Sequence, residues 1–252
     1  MELWHDRILV LDFGSQYTQL IARRIREAQV YSQILPCTVP LATVLAYRPK
    51  GIVLSGGPSS VYDKKAPSVS KQLFEQGIPI LGICYGMQLV THLQGGEVEK
   101  APHREFGRAE LTLDDRSDLF KGIGTGGSTI VWMSHGDRIE RMPPGFRSIA
   151  HTENSPIAAM KRHDAKQRIY CLQFHPEVAH TSEGAGILKN FVYDICGCKP
   201  TWTMRSYVDT AVEQIRQQVG TERVICALSG GVDSSVAAAL THRAVGDQLT
   251  CI

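Results

Sequence analysis

Short apolar runs alternate with stretches of helical periodicity along the first part of this chain, and this alternation restricts its fold more than any other feature. Apolar runs occupy residues 8–13, 51–55 and 78–83, and helix-like segments follow the first and the third. Such alternation is typical of strands that are buried on both faces of a parallel sheet and covered by helices. The sequence therefore predicts an α/β fold with an open, mostly parallel sheet and flanking helices.

The pattern changes after residue 97, which indicates a second set of strands and then a second unit. Residues 197–200 contain a glycine and a proline, which interrupt helices and strands, so a linker is predicted there. We predict one domain at residues 1–198. Residues 199–252 are predicted to contain the linker and an incomplete second α/β unit. The remaining predicted elements are short strands at 109–113, 129–133, 157–160 and 169–174, a helix at 184–195, and a helix, strand, helix and strand at 207–219, 224–228, 236–244 and 249–252.

Composition excludes several classes of protein. The chain is 43% hydrophobic and 21% charged, which is ordinary for a globular domain. Lys and Arg outnumber Asp and Glu by 27 to 25, so neither nucleic acid nor an anionic membrane is an expected partner. Residues 1–7 do not resemble a signal peptide. The seven cysteines are odd in number and lack C-x-x-C spacing, which favours a reducing cytoplasm.

Cys84 ends the third apolar run within the pentapeptide Gly-Ile-Cys-Tyr-Gly at residues 82–86. This has the form of a nucleophile elbow, in which glycines on both sides allow a tight turn between strand and helix. A thiol at a helix N-terminus is favoured as thiolate by the positive end of the helix dipole. On this motif alone, a core cysteine that merely ends a strand is an open alternative.

A predicted strand runs directly into His175, Pro176 and Glu177. Proline forces the residue before it into extended geometry, and extended residues two apart point the same way. His175 and Glu177 are therefore expected to face one site. A lone histidine is more often structural, but a His–Glu pair together with an elbow predicts a nucleophile, a proton carrier and a residue that orients it.

Ser-Gly-Gly-Pro at residues 55–58 ends the second apolar run. Glycines there let backbone N–H groups approach a ligand and hold an oxyanion. We predict that the N–H groups of Gly57 and of Tyr85, the residue after the elbow cysteine, form such an oxyanion hole. Without Cys84, an ordinary turn would be the better interpretation of this segment.

Segments 55–58, 82–88 and 173–178 together resemble the signatures of class I glutamine amidotransferases, and segments 11–19 and 132–137 resemble more narrowly the GMP synthetase family. The resemblance implies glutamine hydrolysis through a thioester, without a cofactor. It makes Cys84 the nucleophile, His175 the base and then the acid, and Glu177 the orienting residue. The resemblance also implies a set of glutamine-binding residues, which are Gln88, Ser134, His135 and Asp137. For His135, a plain loop histidine is an equal alternative.

The segment 229–235 follows a strand and opens a helix, so its glycines and hydroxyls suit a polyphosphate anion. It lacks the Gly-Lys-Ser/Thr of a Walker A loop, and a glycine-rich turn with serine caps is an alternative. The segment resembles the PP-loop of ATP pyrophosphatases, which implies ATP binding and Mg²⁺, with Asp233 nearest the metal. The implied ATP-binding residues are Ser229, Gly230, Gly231, Val232, Asp233, Ser234 and Ser235.

An amidotransferase followed by a PP-loop is the arrangement of the GMP synthetase family. The resemblance implies that ATP adenylates XMP and that ammonia from glutamine displaces AMP to give GMP. In that family the ATP pyrophosphatase domain is longer and a dimerisation domain follows, so we expect a homodimer through that region and no complete synthesis by these 252 residues. The alternatives are a glutaminase for another synthetase, a γ-glutamyl hydrolase or a non-catalytic scaffold.

Overall fold

The computed structural model describes residues 6–164 and 166–252, without the side chains of residues 101–104 and 163. Residues 1–5, where no signal peptide is predicted, lie outside the described residues. The chain has two compact units, Asp6–Thr201 and Trp202–Ile252. The predicted domain boundary after residue 198 stays a prediction.

Nine strands form one sheet in the described part of the first unit. They are β1 (Arg7–Asp12), β2 (Tyr31–Pro36), β3 (Gly51–Leu54), β4 (Ile80–Ile83), β5 (Glu97–Leu113), β6 (Ser128–Arg141), β7 (Arg147–His151), β8 (Ala159–His163) and β9 (Arg168–Leu172). The helices are α1 (Thr18–Glu27), α2 (Leu41–Ala46), α3 (Tyr85–Leu93) and α4 (Gly184–Lys189), with 3-10 turns at Lys71–Glu75 and Asp118–Phe120.

The strand order in this sheet is β2-β1-β3-β4-β9-β8-β7-β5-β6. The five strands from β2 to β9 are parallel, and the pairs from β9 onward to β6 are antiparallel. The predicted α/β class, an open sheet with flanking helices, is confirmed, and the antiparallel strands make the sheet mixed.

The continuous apolar runs arise because the parallel strands are covered on both faces. Along β1, Ile8 and Val10 enter one hydrophobic cluster with Ile21 of α1. Leu9 and Leu11 enter a second cluster on the other face. All four β1 residues are fully buried or nearly so. Alternate residues of one strand thus fill two cores, which removes the apolar–polar alternation of a half-exposed strand.

Several elements differ from the prediction. Strands β5 and β6 have 17 and 14 residues, whereas the sequence predicts only their apolar portions. Their polar halves are strands because they hydrogen-bond to each other in an antiparallel ribbon. The predicted helix at 184–195 is α-helical only to Lys189 and continues as a π-helical turn at Asn190–Ile195. Strands β2 and β7 were not predicted, because polar residues interrupt their apolar pattern, and helix α2 was not predicted, because its six residues are too few to show a helical period.

The second unit contains α5 (Met204–Val219), β10 (Val224–Cys226), α6 (Val232–Val245), a 3-10 turn at Gly246–Gln248 and β11 (Leu249–Cys251). Strands β10 and β11 are parallel neighbours. Helix α5 begins with a capping box, in which Thr203 and Ser206 satisfy each other's backbone N–H groups. Among the described residues, no helix combines the length and the apolarity that crossing a bilayer requires.

Candidate active site

A cavity of about 540 Å³ opens in the first unit at the carboxyl ends of neighbouring parallel strands. Its walls include residues 14–17 after β1, residues 57–60 after β3, Cys84 after β4 and His175 after β9. The remaining wall includes residues 134–137 of β6. Carboxyl ends of parallel strands are the usual place for ligand sites in α/β sheets.

Cys84 occupies a sharp turn between β4 and α3 with a φ of +51°. A positive φ is strained for a residue with a Cβ and persists only when the surroundings enforce it. Here the N–H of Cys84 donates to the Leu172 carbonyl over 2.7 Å. A Cβ at Gly86 would overlap the Leu54 carbonyl oxygen, and a Cβ at Gly82 would lie 2.8 Å from the carbonyl oxygen of Gly86. Both glycines of the pentapeptide are therefore sterically required.

Strand β9 ends at Leu172, the chain bends at Gln173 and Phe174, and Glu177 lies in a turn, so the predicted extended segment from the strand through His175 to Glu177 is wrong. The turn is held because Thr181 Oγ1 donates to the His175 carbonyl over 2.5 Å and the His175 N–H donates to the Trp132 carbonyl over 3.1 Å. The turn brings the two side chains together directly. His175 Nδ1 lies 2.7 Å from Glu177 Oε1.

The surroundings of His175 favour its protonated form. Burial by itself lowers the pKa of His175, but hydrogen bonds with Cys84 and Glu177 and the negative charges of both raise the pKa above the ordinary value of imidazole. Glu177 is fully buried. Its second oxygen, Oε2, has no hydrogen-bond partner among the described residues, so its charge acts mainly on the imidazole.

Cys84 and His175 meet beside the glycine loop after β3. A Cβ at Gly56 would lie 3.2 Å from His175 Cε1 and 3.7 Å from Cys84 Cβ, so both side chains flank this glycine. With His175 also 2.7 Å from Glu177, the structure brings together a thiol, an imidazole and a carboxylate beside one cavity. This arrangement can form a nucleophile and can carry a proton to and from it.

Two backbone N–H groups are available beside the thiol. Tyr85 is the first residue of α3, where N–H groups have no intrahelical acceptor. Its side chain turns away, because its hydroxyl donates to the Pro67 carbonyl over 2.6 Å. Gly57 lines the cavity, and a Cβ there would lie 2.7 Å from the Phe13 carbonyl oxygen. Only glycine lets the loop approach this closely.

The four predicted glutamine-binding residues line the same cavity. Gln88 lies one helical turn after Cys84, and its Nε2 donates to the Asp137 carbonyl over 3.1 Å. His135 Nδ1 lies 3.0 Å from that same carbonyl oxygen. The Ser134 carbonyl oxygen lies 3.7 Å from Cys84 Sγ. Strand β6 therefore supplies one side of the cavity.

Sequence reasoning missed the loop after β1. Tyr17 packs edge-on against His175, with ring centroids 5.1 Å apart. The rule that sites gather at carboxyl ends of parallel strands would have located this loop. Gln173, whose Nε2 lies 3.8 Å from Cys84 Sγ, and Glu105, which contacts His135, were also missed. Glu105 has no local signal, because it reaches the site through strand pairing, whereas Gln173 lies within the segment 173–178 and could have been assigned from it.

The predicted phosphate-binding loop forms the N-terminus of α6 in the second unit. Gly230 has a φ of +79°, and the hydroxyls of Ser234 and Ser235 both donate to the Gly231 carbonyl, over 3.1 and 2.9 Å. Asp233 lies in the first helical turn. No group of three or more metal-ligating side chains occurs among the described residues.

The two parts of the chain match two protein families. Residues 9–195 match the class-I glutamine amidotransferase family, and residues 204–251 match the NAD synthase family. Because the first match covers well over half of the chain, the chain belongs to the class-I glutamine amidotransferase family. The predicted succession of an amidotransferase and the start of a PP-loop unit is confirmed.

Similar proteins are named glutamine-hydrolysing GMP synthases. The relative from Nostoc sp. is 53% identical over 251 residues, which is 100% of this chain and 46% of the relative. The relative from Carboxydothermus hydrogenoformans is 54% identical over 247 residues, which is 98% of this chain and 48% of the relative. The chain thus spans about half the length of these relatives.

Solved structures share the fold of the first unit. A protein from Thermoplasma acidophilum that is named as a GMP synthase subunit has a TM-score of 0.68 and 31% identity, and the match covers 76% of this chain and 94% of that protein. A glutamine amidotransferase from Thermotoga maritima has a TM-score of 0.60 and 18% identity, and the match covers 76% of this chain and 98% of that protein. At this identity the likeness supports the fold alone.

Proposed function

We propose that the first unit hydrolyses glutamine to glutamate and ammonia. The observation that carries this proposal is the series of Cys84, His175 and Glu177 in one cavity, with 2.7 Å between His175 Nδ1 and Glu177 Oε1. The family match over residues 9–195 supports glutamine as the substrate.

In the first half of the proposed reaction, the Cys84 sulfur attacks the side-chain amide carbon of glutamine. The carbonyl oxygen gains negative charge, which the N–H groups of Gly57 and Tyr85 stabilise. The carbon–nitrogen bond then breaks. His175, which its neighbours hold in the protonated form, donates its proton to the nitrogen, and ammonia leaves. The glutamyl group stays on the sulfur as a thioester.

In the second half, water attacks the thioester carbon and His175 accepts a proton from that water. The carbon–sulfur bond breaks, glutamate leaves, and the Cys84–His175 pair returns to its starting state. Glu177 holds the ring in one orientation and stabilises its positive charge. Gln88, Ser134, His135 and Asp137 would surround the substrate, since all four line the cavity.

We infer further that the ammonia serves the synthesis of GMP from XMP. The names of the relatives and the match of residues 204–251 to the NAD synthase family support this acceptor over another synthetase, a γ-glutamyl hydrolase or a scaffold. The loop at 229–235 would bind the ATP phosphates through its backbone N–H groups. Asp233 would hold Mg²⁺, which uses few protein carboxylates beside phosphate oxygens and neutralises their charge. A cytoplasmic homodimer is part of this proposal.

A glutamine analogue that carries an alkylating group is expected to label Cys84 selectively. The analogue would be held at the cavity, where the sulfur is activated by His175, whereas Cys226 and Cys251 lie in the second unit. Mass spectrometry of tryptic peptides would locate the label, and excess glutamine should protect.

Iodoacetamide, which lacks the amino acid part, provides the control for this labelling. It should modify the exposed Cys251 and be insensitive to glutamine there. Labelling by the analogue that is spread over the accessible cysteines, or that glutamine does not suppress, would contradict a glutamine site at Cys84.

Replacing Gly184 with alanine is expected to displace His175, although Gly184 does not itself contact the imidazole in the proposed reaction. A Cβ at Gly184 would overlap the Pro176 carbonyl oxygen, and Pro176 lies between His175 and Glu177. We expect a loss of about 1–3 kcal/mol in unfolding free energy, typical of overpacking, and at least a tenfold loss in kcat. Denaturant unfolding and an ammonia assay measure both.

Gly126→Ala is the matched control for this substitution. Gly126 has no atom within 4 Å of an added Cβ, and its φ is not positive, so this variant should behave like the wild type. If Gly184→Ala also retained full stability and full activity, the close packing of that helix against the His175–Glu177 turn would not matter to catalysis.

A further inference from the structure

A buried polar cluster adjoins the cavity through His135, outside the three residues of the proposed reaction. Its members are Glu105 of β5, His135 of β6, and Thr152 and Ser155 of the segment after β7; each is less than a tenth exposed. Glu105 Oε2 lies 3.3 Å from His135 Nε2. We call these four residues the Glu105 cluster.

The Glu105 carboxylate is well supplied with donors. Thr152 Oγ1 donates to its two oxygens over 3.0 and 3.2 Å, and Ser155 Oγ donates to Oε2 over 2.9 Å. Burial by itself raises the pKa of Glu105, but the hydrogen bonds from His135, Ser155 and Thr152 outweigh burial and lower it. The Glu105 carboxylate therefore keeps its negative charge although it is buried, because these donors replace the water that an unpaired buried charge would lack.

His135 connects the Glu105 carboxylate to the wall of the cavity. One ring nitrogen faces the Glu105 carboxylate, and the other lies 3.0 Å from the Asp137 carbonyl oxygen. Ser155 Oγ also lies 3.4 Å from His135 Nε2. The imidazole ring therefore links the Glu105 carboxylate on one side to a backbone carbonyl of the cavity wall on the other.

The Asp137 carbonyl needs this support because the strand ladder is interrupted beside it. Strand β5 pairs Lys100 with Asp137 and resumes at Glu105 with His135, so four residues of β5 oppose one residue of β6. Backbone pairing alone fixes the ribbon poorly at such a bulge. The Asp137 carbonyl also accepts a hydrogen bond from Gln88 Nε2 over 3.1 Å. Its position therefore orients a residue of the cavity.

We propose that Glu105 is a positioning residue for glutamine binding, which acts through His135 on the Asp137 carbonyl and the Gln88 amide. This inference rests on the proposed glutaminase function. It assigns Glu105 no contact with the substrate and no proton transfer. Loss of the carboxylate charge should weaken glutamine binding while the thiol, the imidazole and Glu177 keep their arrangement.

The test is Glu105→Gln in the full 252-residue chain. We expect KM for glutamine to rise about tenfold, since one hydrogen bond to a charged group is lost, with kcat changed less than about threefold. In a Cys84→Ala background, the Kd for glutamine measured by calorimetry should rise by a similar factor. Glu110→Gln is the matched control, because Glu110 is an exposed carboxylate on the same strand.

A double substitution separates this role from general support of the fold. If Glu105 acts through His135, Glu105→Gln combined with His135→Gln should bind glutamine no more weakly than His135→Gln alone. Additive losses, or a fall in kcat and thermal stability with KM unchanged, would overturn the proposal. Should Glu105→Gln fail to fold, Ser155→Ala decides: a KM raised about threefold supports the proposal, and an unchanged KM refutes it.

The outcomes distinguish this inference from the proposed function. A wild-type chain that neither binds nor hydrolyses glutamine would refute the proposed function. A wild-type chain that does both, with Glu105→Gln indistinguishable from it, would refute only the role of Glu105.

Discussion

Replacing Cys84 with alanine is expected to lower ammonia release from glutamine by at least about 10⁴-fold, which places it at the background of the assay. The thioester cannot form without the sulfur, and His175 then has no nucleophile to serve. Release of ammonia and of glutamate should both be measured over time at saturating glutamine. Glutamine binding itself should survive, because the cavity loses only the thiol.

Two further cysteine variants make this result specific. Cys37→Ala removes another buried thiol, one that does not line the cavity, and should retain activity close to that of the wild type. Cys84→Ser keeps the shape of the elbow and should remain nearly inactive, because a hydroxyl is a much weaker nucleophile than a thiolate. Ammonia release above about 1% of wild type in Cys84→Ala would remove Cys84 from the proposed mechanism.

The second large effect is expected for Glu177→Gln, with kcat lower by about 10³- to 10⁴-fold. The substitution keeps the size of the side chain but removes its charge, so the imidazolium loses the partner that raises its pKa. The amide also meets a hydrogen-bonding conflict. If its oxygen faces His175 Nδ1, its NH₂ group occupies the position of Oε2, which has no partner among the described residues.

Glu183→Gln is the control for this second variant. Glu183 lies six residues further along the chain, and its Oε2 accepts a hydrogen bond from the Gly124 N–H over 2.9 Å, so the same chemical change removes a carboxylate without reaching His175. It should retain at least about a third of the wild-type kcat, since Glu183 is only half-buried and binds a loop N–H rather than the imidazole. A Glu177→Gln enzyme that also stays within tenfold of wild type would mean that the imidazole needs no buried carboxylate.

The parallel half of the fold was predictable because its information is local. In β1, β3 and β4 the apolar runs are continuous, since each strand is covered on both faces. Cys84 and the glycines around it follow from one strand–turn–helix connection, and Gly57 follows from another. The positions of these residues depend on chain segments of only a few residues. The short sequence patterns therefore specify most of this side of the cavity.

The antiparallel half was predicted less well because its strands depend on each other. The polar portions of β5 and β6 have no apolar signal of their own and become strands by pairing. The turn that brings His175 onto Glu177 was also mispredicted as an extended segment. Contacts distant in sequence hold that turn, such as the hydrogen bond from the His175 N–H to the Trp132 carbonyl.

The α/β class, the elbow at Cys84 and the shared site of His175 and Glu177 could therefore be predicted from the sequence, because each has a short pattern of its own. The turn that joins His175 to Glu177 could not, because distant contacts hold it. Long-range packing was needed to bring β6 from the far edge of the sheet to the cavity and to bury Glu105 against His135. In the sequence Glu105 is one charged residue among several. Its burial and its partners exist only because strand pairing and the segment after β7 enclose it, and such packing leaves no local pattern to detect.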